Sequence, residues 1–221
     1  QDLSGIGVGT YSVTVSDANG CTTQESISVS EPSALTSSYT QSDYNGYGVS
    51  CNGDSDGSID LTVIGGVDNI AYTYLWSNST ITQDLSGIGV GTYSVTVSDA
   101  NGCTTQESII ITQATPIVSL FTTTTFNGYE VQCNGGSNGQ IDLSVSGGVT
   151  SLGYSYDIDG ITNPTNIFNN IIAGNYVLTA TDANGCFTSQ SVTMNEPATQ
   201  VSSSYTPVSY THLRAHETSP H

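Results

Sequence analysis

Five cysteines, at positions 21, 51, 103, 133 and 186, and the aspartates Asp54, Asp56 and Asp60 are the reactive side chains that stand out in this chain. Thiolates form disulfides, bind soft metals and attack electrophiles. Closely spaced carboxylates hold a hard cation such as calcium through oxygen ligands. What surrounds them narrows the choice. Residues 1–207 contain no His, Lys or Arg; the one Arg is Arg214 and the three His are His212, His216 and His221. Nucleophile–base triads, Schiff-base lysines, phosphate clamps and His-based metal sites are therefore excluded over that span. Paired carboxylates for glycoside hydrolysis stay open in principle, but the acids fall mostly in Gly- and Asn-rich turns. Gly87–Gly91, GIGVG, precedes a strand pattern and opens no helix, so it lacks the setting of a nucleotide loop. No catalytic residue and no cofactor are assigned, and an enzyme is not expected.

These residues recur. Gln83–Ile109 repeats Gln1–Ile27 letter for letter, an offset of 82. A diverged copy runs from Ile167 to Val192, where GNYVLTATDANGC stands in place of GTYSVTVSDANGC at an offset of 83. Cys21, Cys103 and Cys186 share one repeat position, Cys51 and Cys133 another. This period is too long for a helical solenoid unit and suits a small all-β domain repeated in tandem.

The elements that must carry the cysteines follow from periodicity. Tyr93, Val95 and Val97 alternate with hydroxyl residues, as a half-buried strand requires. Gly91 two residues before Tyr93 points to the tyrosine corner of immunoglobulin-like sandwiches, with Tyr11 and Tyr176 in the same role. Asp99-Ala100-Asn101-Gly102 supplies a hairpin turn, with Asn and Gly tolerating positive φ, and Ser108–Ile111 reads as the returning strand. In the first copy the corresponding strands are Thr10–Ser16 and Ser26–Ser30. Upstream of the second copy, Ile59, Leu61 and Val63 alternate before Gly65-Gly66, then Tyr72, Tyr74 and Trp76 alternate. Trp76 is expected to fill the core, because Ile158 at the equivalent position keeps bulk without the ring. An exposed aromatic stripe for carbohydrate is the other reading. Leu85 and Ile88, matched by Phe168 and Ile171 after an insertion near Asn163-Pro164, lead into the next strand.

The expected fold class is all-β, as tandem immunoglobulin-like (PKD-like) β-sandwich modules. Residues 1–32 read as the C-terminal part of a first module, 33–113 and 114–197 as complete modules, and 198–207 as the start of a further one. Ala34–Thr40 is either a linker or the first strand of its module. A start in mid-module implies a fragment of something longer. Residues 208–218 resemble a translated sequencing adapter, and 208–221 are set aside as artefact.

A formal net charge of −18 argues against nucleic acid and anionic membrane surfaces, which need basic groups to neutralise phosphate. No run reaches the length of a transmembrane helix, so no membrane insertion is expected within the fragment. An acidic, hydroxyl-rich surface fits an extracellular protein, and Asn78-Ser79-Thr80 forms a glycosylation sequon.

The order CNGDSDGSIDLTVIGG, YTYLWSN, LSGIGVGTYSVTVSDANGC and a Pro-terminated strand resembles the SprB-type repeat over essentially residues 1–207. That repeat occurs many times over in very large cell-surface adhesins of gliding and other Bacteroidetes. The resemblance implies a secreted repeat array on the cell surface, exported by the type IX route, serving as a stalk or adhesive element. Surface polysaccharide or other cell-surface and substratum ligands are the implied partners. Glycan-binding modules, or accessory repeats of a secreted hydrolase, are the alternatives. The chain departs from the usual pattern in lacking a Pro before the Tyr-x-Tyr strand, where Ile70-Ala71 and Leu152-Gly153 stand, and in GNYVLTATDANGC of its last module.

In such a setting disulfides are expected rather than free thiols. Pairing within modules gives Cys51–Cys103 and Cys133–Cys186, leaving Cys21 unpaired, and is preferred; pairing across boundaries gives Cys21–Cys51 and Cys103–Cys133. Asp54, Asp56 and Asp60 are calcium candidates, although no Glu stands at the twelfth position of an EF-hand pattern, and Gly136 and Asn138 replace two of the three acids in the next module. Turn formation explains both versions of the loop.

Overall fold

A computed structural model describes residues 2–67, 71–199 and 201–205. Ile70, residues 206–207 and the tail 208–221, with Arg214 and every His, lie outside the described residues.

The described residues form strands and no helix. β1 (Gly9–Ser16) and β2 (Thr22–Val29) make an antiparallel hairpin, with Ser16 opposite Thr22 and Gly9 opposite Val29. Then come β3 (Thr36–Gln41), β4 (Gly57–Ile64), β5 (Thr73–Trp76), β6 (Leu85–Ile88), β7 (Gly91–Ser98) and β8 (Thr104–Ile111). They make two antiparallel sheets, ordered β3-β4-β6 and β5-β7-β8. β9 (Val118–Thr123), β10 (Gly139–Ser146), β11 (Ser155–Ile158), β12 (Ile161–Asn163), β13 (Ile167–Ile171), β14 (Gly174–Thr181) and β15 (Phe187–Met194) follow, in sheets ordered β13-β10-β9 and β12-β11-β14-β15. These are β-sandwich repeats, three strands against three in the first and three against four in the second, with the strand order of an immunoglobulin-like module.

The residues group into two compact units. One holds Gln1–Ser119, Val145–Ser155 and Ala180–Thr188; the other holds Leu120–Ser144, Tyr156–Thr179 and Ser189–His221, each only as far as the described residues reach.

In the first unit the core lies between the two sheets. Ile59 and Leu61 of β4, Trp76 of β5, Leu85 and Ile88 of β6, Val95 and Val97 of β7, and Ile109 and Ile111 of β8 form one buried cluster with Val49. Burying alternate residues on each strand is what the period-two pattern encodes. The Trp76 indole N–H donates to the Thr82 carbonyl at 2.9 Å, so the buried ring leaves no polar group unmatched. The second unit buries Val131, Ile141, Leu143, Phe168, Leu178, Val192 and Met194.

Of the two readings left open for Ala34–Thr40, the strand is the one found: β3 pairs along β4 from Thr36↔Ile64 to Gln41↔Ile59. Two details differ from the sequence reading. The returning strands start at Thr22 and Thr104, four residues earlier than expected, because the turn before them closes within five residues. The insertion near Asn163 adds β12, an edge strand turned back on β11 at Asp159-Gly160, both at positive φ.

The Tyr93 hydroxyl donates to the Gly89 carbonyl at 3.1 Å, Tyr11 to Gly7 at 3.0 Å and Tyr176 to Ile172 at 3.1 Å. Each bond ties strand entry to the preceding loop, the geometry of a tyrosine corner. Tyr93→Phe removes that one bond and keeps the ring. A loss of about 1 kcal/mol in urea unfolding is expected, with unchanged strand content by circular dichroism.

Candidate functional site

The residues that recur most strictly meet at one end of the sandwich, in the turn between β7 and β8. Asp99 is the hub of that turn. Its Oδ1 accepts from the backbone N–H of Asn101 at 3.0 Å and of Cys103 at 2.8 Å, and its Oδ2 accepts from Val67 N–H at 3.0 Å. One carboxylate thus folds the turn and ties it to the loop after β4. Asp182 repeats the arrangement with Asn184, Cys186 and Val149, at 2.9, 3.0 and 2.7 Å. Asp17 holds Asn19 and Cys21, both at 2.9 Å. Asp99 and Asp182 are buried. The bond from Val67 N–H, with those from Cys103 and Asn101, holds the Asp99 carboxyl below the usual carboxylate range.

Asn and Gly both tolerate positive φ in such a turn. Only the glycines take it, Gly20, Gly102 and Gly185 at φ between 83° and 88°, and the aspartate was missed as the organising group. The legible signal was the Asp kept in all three copies. Gly66, at φ +67°, is needed beside it, since a Cβ there would stand 2.7 Å from Asp99 Oδ2.

The other cysteine position is built at the opposite end. Gly48 and Val49 donate backbone N–H groups to the Thr112 carbonyl, at 3.0 and 3.2 Å, and Val49 plugs the core. The Asn52 side chain donates to the Ala114 carbonyl, and Gly53 N–H to Gln113 Oε1, both at 2.8 Å. Cys51 is therefore pinned next to the residues that follow β8, whereas Cys103 sits just before β8 begins. Eight strand residues at about 3.3 Å each separate those ends by roughly 26 Å.

That separation overturns the preferred pairing. Cys51 is bonded to Cys186, with Cα atoms 5.6 Å apart, inside the range disulfides adopt. Neither Cys51–Cys103 nor Cys133–Cys186 forms, and neither does Cys21–Cys51 or Cys103–Cys133. Cys21, Cys103 and Cys133 are free and exposed. Beside the bond, the Asn184 side-chain amide donates to the carbonyls of Tyr44 and Ser50, at 3.1 and 3.0 Å, and accepts from the Asn45 side chain. The Asn of the turn is thus a clamp on the cysteine loop, a role its sequence does not announce.

The three aspartates of that loop are not brought into one ligand set. Asp54 Oδ2 accepts from the Ser50 hydroxyl at 3.0 Å, Asp56 Oδ1 accepts from Ser50 N–H at 3.1 Å, and Asp60 lies exposed on β4. The bonds from Ser50 hold the Asp56 carboxyl below its ordinary value. Among the described residues, no group of three or more His, Cys, Asp or Glu converges as metal ligands.

The aromatic strand faces inward. Trp76 is 2% exposed, and the half-buried Tyr72, Tyr74 and Tyr93 pack against the core. The Tyr72 hydroxyl donates to the Gly65 carbonyl at 2.8 Å, a bond repeated by Tyr154 to Gly147 at 2.7 Å. Tyr74 donates to Gln83 Oε1 at 3.2 Å; burial, then the nearby Asp84 charge, raises its pKa. Asn78 of the sequon is exposed, and its Oδ1 accepts from Thr80 N–H at 3.1 Å.

The arrangement holds and cross-links; nothing in it pairs a nucleophile with a base. The family model described as SprB repeat matches residues 49–81 and residues 127–163, which run in both cases through the cysteine loop and the strand after it. No curated protein matches the chain.

Proposed function

We propose, for a chain that carries two SprB repeat segments, that it serves as a non-catalytic stalk and adhesive array of a large bacterial surface adhesin, of the kind used in gliding motility. The observation that carries this reading is the SprB match at equivalent places in successive sandwiches. Copies identical over 27 residues suit a unit duplicated for reach rather than a tailored site. Each sandwich buries its own core, so adding repeats adds length without redesigning any of them. A charge of −18 keeps such an array soluble. The export route is the type IX system, and the partner is a surface polysaccharide or another substratum ligand. A glycan platform on Tyr72, Tyr74 and Trp76 is less well supported, since those rings turn toward the core.

The test is antibody labelling of intact producing cells, raised against this chain, together with attachment of cells whose repeats have been deleted. Surface labelling and reduced attachment to a polysaccharide-coated substratum are the expected results. Labelling only after permeabilisation, or attachment unchanged by the deletion, would overturn the reading.

A further inference from the structure

The Cys51–Cys186 bond joins two different positions of the repeat. Cys51 and Cys133 occupy the loop position, 82 residues apart; Cys21, Cys103 and Cys186 occupy the turn position, 82 and 83 residues apart. Cys103 is the turn cysteine of the repeat that holds Cys51, and Cys186 is the turn cysteine of the next. The observed bond therefore runs from the loop of one repeat to the turn of the following one.

We propose that this bond is one rung of a ladder, in which every repeat of the array is joined to its successor in the same way. Cys133 then bonds the turn cysteine of a repeat that follows it. Cys103 bonds the loop cysteine of a repeat that precedes it, and Cys21 does so one repeat earlier. The occupant of each free cysteine is a neighbouring copy of this repeat.

The half-sites are already built alike. The free Cys133 loop is pinned as the Cys51 loop is: Asn134 donates to the Pro197 carbonyl at 3.0 Å, Gly135 N–H to Glu196 Oε2 at 2.7 Å, and Val131 N–H to the Asn195 carbonyl at 3.0 Å. The free turns match the bonded one, with Cys21 and Cys103 N–H held by Asp17 and Asp99 at 2.9 and 2.8 Å, against 3.0 Å for Cys186 and Asp182. The clamp on the bonded pair uses the carbonyls of Tyr44 and Ser50, which are backbone groups and so survive their replacement by Phe126 and Gln132. All three unbonded cysteines are exposed. Forming each rung removes two protons and two electrons from a pair of thiols; a disulfide-bearing dithiol oxidant takes them, passing through a mixed disulfide and leaving reduced.

The spacing gives the ladder a property no single bond has. Each rung joins residues 135 apart in sequence, more than the 82-residue period, so successive rungs overlap. A peptide bond cut anywhere inside the ladder is bridged by at least one rung. This inference rests on the observed bond and the period, and stands whether or not the array is adhesive.

The experiment inserts a second copy of residues 115–197 between Pro197 and Ala198 of the full chain, which adds two cysteines to the five present. After air oxidation with a disulfide buffer, thiols are alkylated and disulfide peptides mapped without reduction. The expected result is Cys51–Cys186 retained, Cys133 joined to the inserted equivalent of Cys186, and three thiols still free. A bond between the two inserted cysteines, or Cys133 left free while Cys51–Cys186 is intact, would overturn the ladder. In the unlengthened chain, Cys51→Ser should leave all four remaining cysteines free; a new Cys133–Cys186 bond there would equally defeat it.

Discussion

Trp76→Ala should destabilise its sandwich by about 4 kcal/mol, the range for removing a large buried aromatic. The ring is 2% exposed, belongs to the cluster with Ile59, Leu61, Val95, Val97, Ile109 and Ile111, and has its indole N–H bonded to Thr82. Truncation leaves both a cavity and an unpaired carbonyl. Because Trp76 is the sole tryptophan, unfolding is followed by far-ultraviolet circular dichroism in urea. Trp76→Ile, which copies Ile158 of the next repeat, should cost much less, since bulk is kept. Leu75→Ala, at a side chain 59% exposed on the same strand, should change stability by no more than about 0.5 kcal/mol. Stability unaffected by Trp76→Ala, with loss of binding to a polysaccharide, would instead make the ring a ligand platform.

Asp99→Ala should lower the unfolding temperature of the same sandwich by roughly 15 °C, because three backbone N–H groups lose one charged acceptor at once. Those groups are Val67, Asn101 and Cys103. Asp99→Asn should fall between the two, as an amide offers one oxygen where the carboxylate offers two. The same bonds predict a pH dependence. Hydrogen bonding, from Val67 N–H first, depresses the carboxyl pKa in the folded state. The stabilisation is therefore complete above the unfolded-state value, about 3.9, and is lost as pH falls through the lower folded value. Thermal unfolding followed from pH 6 downward should show the midpoint dropping below about pH 4, with a shallower drop in Asp99→Asn. An identical acid slope in the two proteins would remove Asp99 as the cause.

The identical segments 1–27 and 83–109 separate local from tertiary causes within one molecule. Both form the same hairpin, both place the tyrosine hydroxyl on the carbonyl four residues back, and both wind the turn around the aspartate. Those features depend on alternation, on Gly at positive φ and on bonds within four residues, so the sequence determined them without help. Burial did not follow. Val95, Val97 and Ile109 are 1% exposed or less, whereas Val13, Val15 and Ile27, the same residues in the first copy, are 56%, 58% and 66% exposed. An apolar strand face is buried only where a second sheet covers it, and that sheet is supplied by β3, β4 and β6 for one copy alone. The disulfide was decided at the same level. Cysteine spacing pointed to partners near in sequence, but strand β8 holds Cys51 and Cys103 at opposite ends of the sandwich, and the next turn brings Cys186 to Cys51 across 135 residues. Local order is written in short-range bonds; partners and burial arise only once separate strands have packed.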